Sequence, residues 1–210
     1  MVKPDAISQA IVFASKAHRG QLRKGTSIPY VWHALSVGKL LQDAGAPSEL
    51  VVAGILHDTV EDTSVTLEEI EERFGSRVAE VVRGCSESDK SLPWEQRKMH
   101  TIESLRTAPA EVKIVSAADK LDNLRAIRSD LEEVGDGLWK RFRRGRDKQE
   151  GYYRSVLTSL ESGSEQIATH PLVCALEAEI ESVFGAGSSK KSAGEARLEP
   201  MHQRRADPSG

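Results

Sequence analysis

Apolar residues recur every three or four positions along most of the chain: Ile7, Ile11 and Ala14, then Val37, Leu40 and Leu41, then Val51, Val52, Ile55 and Leu56. That is the period of one face of an α-helix, and no stretch shows the alternation of period two that marks a half-buried strand. Short helices are predicted over 70–74 and 78–82, closed by Gly75 and Gly84. Longer ones are predicted over 95–105 after Pro93 and over 111–127 after Pro109, because proline suits the first turn of a helix and not its interior. Tyr153, Val156, Leu157 and Leu160 mark another, and Leu172, Val173, Leu176, Ile180 and Val183 the last. Thr66-Leu67-Glu68-Glu69 has the form of a capping box, a helix start. The predicted fold class is all-α.

The apolar pattern stops at Phe184, giving a domain over 1–185 and a tail over 186–210 whose composition cannot offset its chain entropy; disorder is expected there. A chain of 210 residues with 39% hydrophobic content can bury one good core. A net charge of −3 gives no general basic surface and argues against a nucleic-acid partner. Cys85 and Cys174 are isolated and provide no disulfide framework. Met1 to Ile7 is polar and no apolar run reaches the roughly 18 residues of a membrane span, so a cytoplasmic chain without a membrane partner is expected.

Candidate chemistry gathers in Gly54-Ile55-Leu56-His57-Asp58-Thr59-Val60-Glu61-Asp62. On one helix, positions 57, 58, 61 and 62 share a face, so their side chains can converge; Thr63-Ser64 suggests that this helix ends just after Asp62. A lone His-Asp pair is commonly a solvated turn beside a half-buried imidazole, but this one has company. His33 follows Pro29-Tyr30 at the start of a helix, and Asp119 lies within the strongly apolar pattern 114–124. A carboxylate withdrawn from water requires a compensating charge. His33, His57, Asp58 and Asp119 form a nitrogen and oxygen set without thiolate, better suited to Mn²⁺, Fe²⁺ or Mg²⁺ than to structural zinc. Open positions in such a shell favour bound water and hence hydrolysis.

Further motifs run in order along the chain: His18-Arg19-Gly20-Gln21-Leu22-Arg23-Lys24, Pro29-Tyr30 with His33, Leu56-His57-Asp58-Thr59-Val60-Glu61-Asp62-Thr63, Phe74-Gly75, Asp89-Lys90-Ser91-Leu92-Pro93 with Arg97-Lys98, and Ala118-Asp119-Lys120-Leu121-Asp122-Asn123-Leu124-Arg125. This ordered set resembles the HD superfamily of metal-dependent phosphohydrolases, and within it the hydrolase domain of the Rel/SpoT alarmone enzymes and the stand-alone small alarmone hydrolases of metazoan type. The resemblance implies an HD-domain helical bundle that removes the 3′-pyrophosphate from a nucleotide such as ppGpp or ppApp. It implies one Mn²⁺ ion, other divalent metals remaining open, held by His33, His57, Asp58 and Asp119. Glu61 and Asp62 match the acidic pair that orients or activates water. Arg23, Lys24 and Asn123 match nucleotide contacts, and Lys148 and Tyr152 match a wall facing phosphate and sugar. The only partner implied is the small-molecule nucleotide.

This chain departs from the family at Ala34, where Pro is common, at Asp122, where the long Rel enzymes usually carry His, at Trp94, and in extra residues over 141–146. These positions leave the metal set intact and the base open between guanine and adenine. Alternatives are a phosphatase acting on another nucleotide such as NADPH, and a non-catalytic nucleotide-binding regulator. Among the remaining histidines, His18, His100, His170 and His202 are expected to be structural or on the surface, which favours a single ion. The basic run from Lys140 to Lys148 reads either as a solvated helix end or as a phosphate clamp, and Asp122 either as a partner of a metal ligand or as a surface charge.

Overall fold

The computed structural model describes residues 5–86 and 91–185, so Asp89-Lys90 and the expected tail lie outside the described residues. Eleven α-helices and one 3-10 helix make up the described chain: α1 (Ala6–Ala17), α2 (Val31–Asp43), α3 (Ser48–Leu56), α4 (Thr59–Asp62), α5 (Leu67–Phe74), α6 (Ser76–Cys85), α7 (Trp94–Thr107), α8 (Ala110–Val134), a 3-10 turn (Gly135–Arg141), α9 (Gly145–Glu161), α10 (Glu165–Ala168) and α11 (Pro171–Phe184). The only β pairing among the described residues is an isolated antiparallel bridge between Leu22 and Pro29.

α8 is the axis of the bundle, with α2, α3, α6, α9 and α11 packed around it. Val115, Ala118, Leu121 and Leu124 of α8 are buried along its length, as are Leu176 and Ile180 of α11. α2 and α3 are joined by a short turn and run antiparallel, which returns the end of α3 to the start of α2. Two glycines let them approach: a methyl group on Gly38 would run into Ile55, and one on Gly54 into Leu41. That close crossing brings His33, in the first turn of α2, beside His57, just past α3.

Two boundaries differ from the sequence reading. α6 continues through Gly84 to Cys85, because the missing side chain leaves room for Val112 of α8. The single helix expected to carry positions 57, 58, 61 and 62 is broken at His57-Asp58, and α4 restarts at Thr59. Side chains take the carbonyls that a continuous helix would use: His57 Nδ1 donates to Gly54 O at 2.7 Å and Thr59 Oγ1 to Leu56 O at 2.6 Å. The capping box at α5 forms as expected, with Thr66 and Glu69 bonded reciprocally.

Candidate metal centre and its two cavities

His33, His57 and Asp58 place one ligand atom each within 4.8 Å of the others. The ring orientations follow from the far nitrogens. His33 Nδ1 meets Asp122 Oδ2 at 2.6 Å, and His57 Nδ1 meets the Gly54 carbonyl at 2.7 Å. Both acceptors call for N–H at Nδ1, which leaves a lone pair on each Nε2. The two Nε2 atoms face the same oxygens: Asp58 Oδ2 lies 3.5 Å from His33 and 3.0 Å from His57, and Asp119 Oδ1 3.3 and 3.8 Å away. Ligands about 2.0–2.2 Å from one ion stand roughly 3–3.5 Å apart, so this spacing fits a shared cation. His57 Nε2 is buried and has no hydrogen-bond partner among the described residues, as a nitrogen aimed at an ion would be.

Asp119 joins through the imidazoles and lies outside the mutual group of three. Its oxygens are also held by Asn123 Nδ2 and Lys120 Nζ, each at 2.6 Å. Tyr30 donates its hydroxyl to Asp58 Oδ2 at 2.5 Å. The charges agree with a cation-seeking site. Burial disfavours charge on His33 and His57, yet the surrounding carboxylates outweigh it and raise both imidazoles above their ordinary value. Burial likewise opposes ionisation of Asp58 and Asp119, but the imidazoles and, for Asp119, Lys120 hold both carboxyls below the usual range. A divalent ion would take the place of imidazole protons. Cys85 lies nearby, but burial pushes its thiol up to about 12, so it is protonated at neutral pH and the donor set remains nitrogen and oxygen.

Two cavities meet at this cluster. One, of about 490 Å³, is reached by His33 and lined by Arg23, Lys24, Asn123, Trp32, Phe142 and Tyr153 among others. The Leu22–Pro29 bridge closes the loop that carries Arg23, whose N–H bonds Ile28 O at 2.8 Å. Arg23 then spans Asp122 Oδ2 and Asn123 Oδ1, each at 3.1 Å. The other cavity, of about 470 Å³, is reached by His57 and Asp119 and bordered by α6, α7 and α8.

The remaining expected residues fall differently. Glu61 and Asp62 are half-buried on α4, one turn after Asp58. Asp62 lies close enough to Tyr30 to oppose ionisation of its phenol, and its carbonyl accepts from Gln21 Nε2 at 2.7 Å. Gln21 in turn holds the buried His18 at 2.8 Å, a structural role for that histidine. Lys148 is exposed and lines neither cavity. Tyr152 is buried against Trp94, its ring covered by Lys98 and its hydroxyl without a hydrogen-bond partner; its neighbour Tyr153 is the one that reaches the first cavity. The sequence pattern assigns no role to Tyr30 or Lys120 and leaves Asp122 open between two. Spacing held the signal: Tyr30 precedes His33 by one turn, and Asp122 follows Asp119 by one turn on α8.

The family described as "HD domain" matches residues 10–147. The chain is 40% identical over 138 residues to human guanosine-3′,5′-bis(diphosphate) 3′-pyrophosphohydrolase MESH1, covering 64% of this chain and 74% of that protein. It is 38% identical over 126 residues to the Aquifex aeolicus enzyme guanosine-3′,5′-bis(diphosphate) 3′-pyrophosphohydrolase, covering 59% of this chain but only 18% of that longer protein. A solved structure of a metazoan orthologue of SpoT, described as hydrolysing ppGpp, superposes with a TM-score of 0.71 at 28% identity, over 88% of this chain and 99% of that one. The fold implies a divalent metal, and the convergent donor set fits one. The chain therefore belongs to the HD-domain family, as a hydrolase homologous to metazoan MESH1 and to the hydrolase domains of the Rel/SpoT enzymes.

Proposed function

We propose that the chain is a Mn²⁺-dependent 3′-pyrophosphohydrolase of alarmone nucleotides, (p)ppGpp or its adenosine analogue (p)ppApp, acting in the cytoplasm without a protein partner. The observation that carries this reading is the convergence of two Nδ1-anchored imidazoles on the oxygens of Asp58 and Asp119. It is supported by the homologues, which are named for removal of the 3′-pyrophosphate. His33, His57, Asp58 and Asp119 would hold the ion. When bound, the ion supplies Lewis acidity, polarising the phosphate and lowering the pKa of the attacking water.

The protein's own groups do the rest. Asp122 and the Gly54 carbonyl fix the imidazoles so that Nε2 faces inward. Glu61 or Asp62 receives the proton of the attacking water. Arg23, Lys24 and Asn123 bind the nucleotide within the first cavity, whose aromatic rim suits a base and whose cations suit phosphate. Lys148 and Tyr152 would act from the periphery, Lys148 by long-range attraction and Tyr152 by packing the wall behind Tyr153. Water attacks the phosphorus bonded to the ribose 3′-oxygen, the P–O bond breaks, and the 3′-oxygen leaves protonated.

The test is incubation of purified protein and Mn²⁺ with ppGpp, ppApp and NADPH, with separate assays for pyrophosphate and orthophosphate. Pyrophosphate in equal amount to the 5′-diphosphate nucleotide is expected from ppGpp or ppApp. Orthophosphate from NADPH, with neither alarmone consumed, would replace this reading with a phosphatase.

A further inference from the structure

Hydrolysis of a 3′-diphosphate does not itself discriminate guanine from adenine; a group that touches the edge of the base must do so. Of the two cavities, the first has Phe142, Tyr153 and Trp32 in its lining, and the second has no Phe, Tyr or Trp. Aromatic side chains are a platform for a base. Arg23 adds another flat surface, since its guanidinium is held by Asp122 and by Asn123, each at 3.1 Å.

One face of α8 runs from the metal cluster along this cavity. Positions 119, 123, 126 and 130 are spaced by four, three and four residues, so they form one ridge. Asp119 stands at the cluster, and Asn123, Ala126 and Asp130 line the cavity. Asn123 and Asp130 are seven residues apart, about 10 Å along the axis, with only the methyl group of Ala126 between them on the ridge. The Asp130 side chain is 34% exposed, so a ligand can reach it, and its Oδ2 accepts from Arg141 Nη1 at 3.2 Å. The stem of Arg141 passes the loop that carries Arg23 and Lys24: a methyl group on Gly25 would stand 3.7 Å from Arg141 Cδ.

We propose that Asp130, oriented by Arg141, reads the base of the substrate and selects guanine over adenine. This rests on the reading that the first cavity holds the nucleoside of a 3′-diphosphorylated nucleotide. With the 3′-phosphate at the cluster, the ribose lies near Asn123 and the base over Ala126, its edge toward Asp130. Along its Watson–Crick edge guanine presents two donors, N2–H and N1–H, and then the acceptor O6. A carboxylate offers acceptors only and a guanidinium donors only, so the pair presents the complementary order. Adenine presents the acceptor N1 beside the donor N6–H, which sets a lone pair against the Asp130 carboxylate. Both residues lie outside the motifs that carry the family resemblance, and Arg141 opens the stretch in which this chain has extra residues.

The measurement is kcat/KM of the full-length protein with Mn²⁺ for ppGpp, ppApp and the inosine analogue, which keeps N1–H and O6 but lacks the N2 amine. Wild type should favour ppGpp over ppApp by about 10- to 100-fold, the effect of one hydrogen bond to a charged group, with the inosine nucleotide between them. Asp130→Asn exchanges an acceptor for a donor, and an amide matches adenine's N1 and N6–H, so the ratio should fall to near unity or reverse. A wild-type ratio near unity, or a ratio unaltered by Asp130→Asn, overturns the assignment. Thermal melting guards against a folding defect: if Asp130→Asn melts lower than wild type, Asp130→Ala takes its place and the same loss of preference is required. If neither alarmone is hydrolysed, the proposed function fails. Calorimetric titration of GDP and ADP into wild type and Asp130→Asn then decides the base reading without turnover: a GDP preference present in the first and lost in the second supports it, and equal affinities in wild type overturn it.

Discussion

Between the imidazole of His33 and the guanidinium of Arg23, the proposed metal ligand and nucleotide contact, stands the single carboxylate of Asp122, 9% exposed, accepting from His33 Nδ1 at 2.6 Å and from Arg23 at 3.1 Å. One oxygen, Oδ2, serves both donors, so the orientations of His33 and Arg23 are mechanically linked. Asp122→Ala removes both restraints and leaves the His33 ring without its anchor. Metal affinity is expected to fall about 10- to 100-fold, the usual effect of losing such a partner, with KM for the nucleotide rising in the same variant. Titration of metal into the apo variant checks the first effect and steady-state kinetics the second. Unchanged affinity would show that Asp122 does not orient His33 for an ion. The sequence left that choice open because an aspartate one turn from another on a helix has the same spacing in either case; only the arrival of α2 from the opposite side distinguishes them.

At the scale of elements, the proposed ligands come from α2, from the turn between α3 and α4, and from α8, and helix packing determines whether they meet. Gly38 and Gly54 permit the close crossing of α2 and α3. The ends of α7 and α9 have their own fastening to α8. Lys113 of α8, 4% exposed, sends its ammonium to Arg106 O at 3.3 Å, Ser159 O at 3.1 Å and the Ser162 carbonyl, the ends of α7 and α9. A cation suits the negative end of a helix, and here one serves two. Burial lowers its pKa, but the ring of carbonyls satisfies its protons. Lys113→Met keeps most of the side-chain volume but leaves those carbonyls unpaired, which should cost about 1–3 kcal/mol and lower the melting temperature by roughly 5 °C. Turnover per folded molecule should change little. Calorimetric melting beside kcat checks both, and an unaltered melting temperature would show that water replaces the ammonium at no cost. The helices themselves were legible from apolar periodicity, since Val115, Leu121, Leu176 and Ile180 fall where the spacing puts the core. The break at His57-Asp58 was not: it arises from side-chain donors competing for backbone carbonyls, and the residue pattern on either side is equally good for a continuous helix.

At the scale of the molecule, residue 33, the pair 57–58 and residue 119 lie in three segments distant in sequence and share a site only when the bundle is closed. The donor types were legible in the sequence because buried His and Asp without thiolate partners limit the chemistry available. The partition into two unlike cavities was not legible, since each is assembled from helices whose pairing no local pattern fixes. No helix among the described residues is long and apolar enough to cross a membrane. In the proposed site four side chains hold one catalytic ion while the neighbouring acids act on water. The most direct test is elemental analysis beside single-turnover pyrophosphate release for wild type, Asp58→Asn and Glu61→Gln. Wild type should carry about one ion per chain, and Asp58→Asn should lose ion and turnover together, because an amide is a poor ligand for such metals. Glu61→Gln should keep the ion yet release pyrophosphate about 10²- to 10⁴-fold more slowly, the usual contribution of a positioned base. Stoichiometric metal and full turnover in Asp58→Asn would contradict the ligand set, and loss of metal in step with activity in Glu61→Gln would make Glu61 a ligand instead of a base.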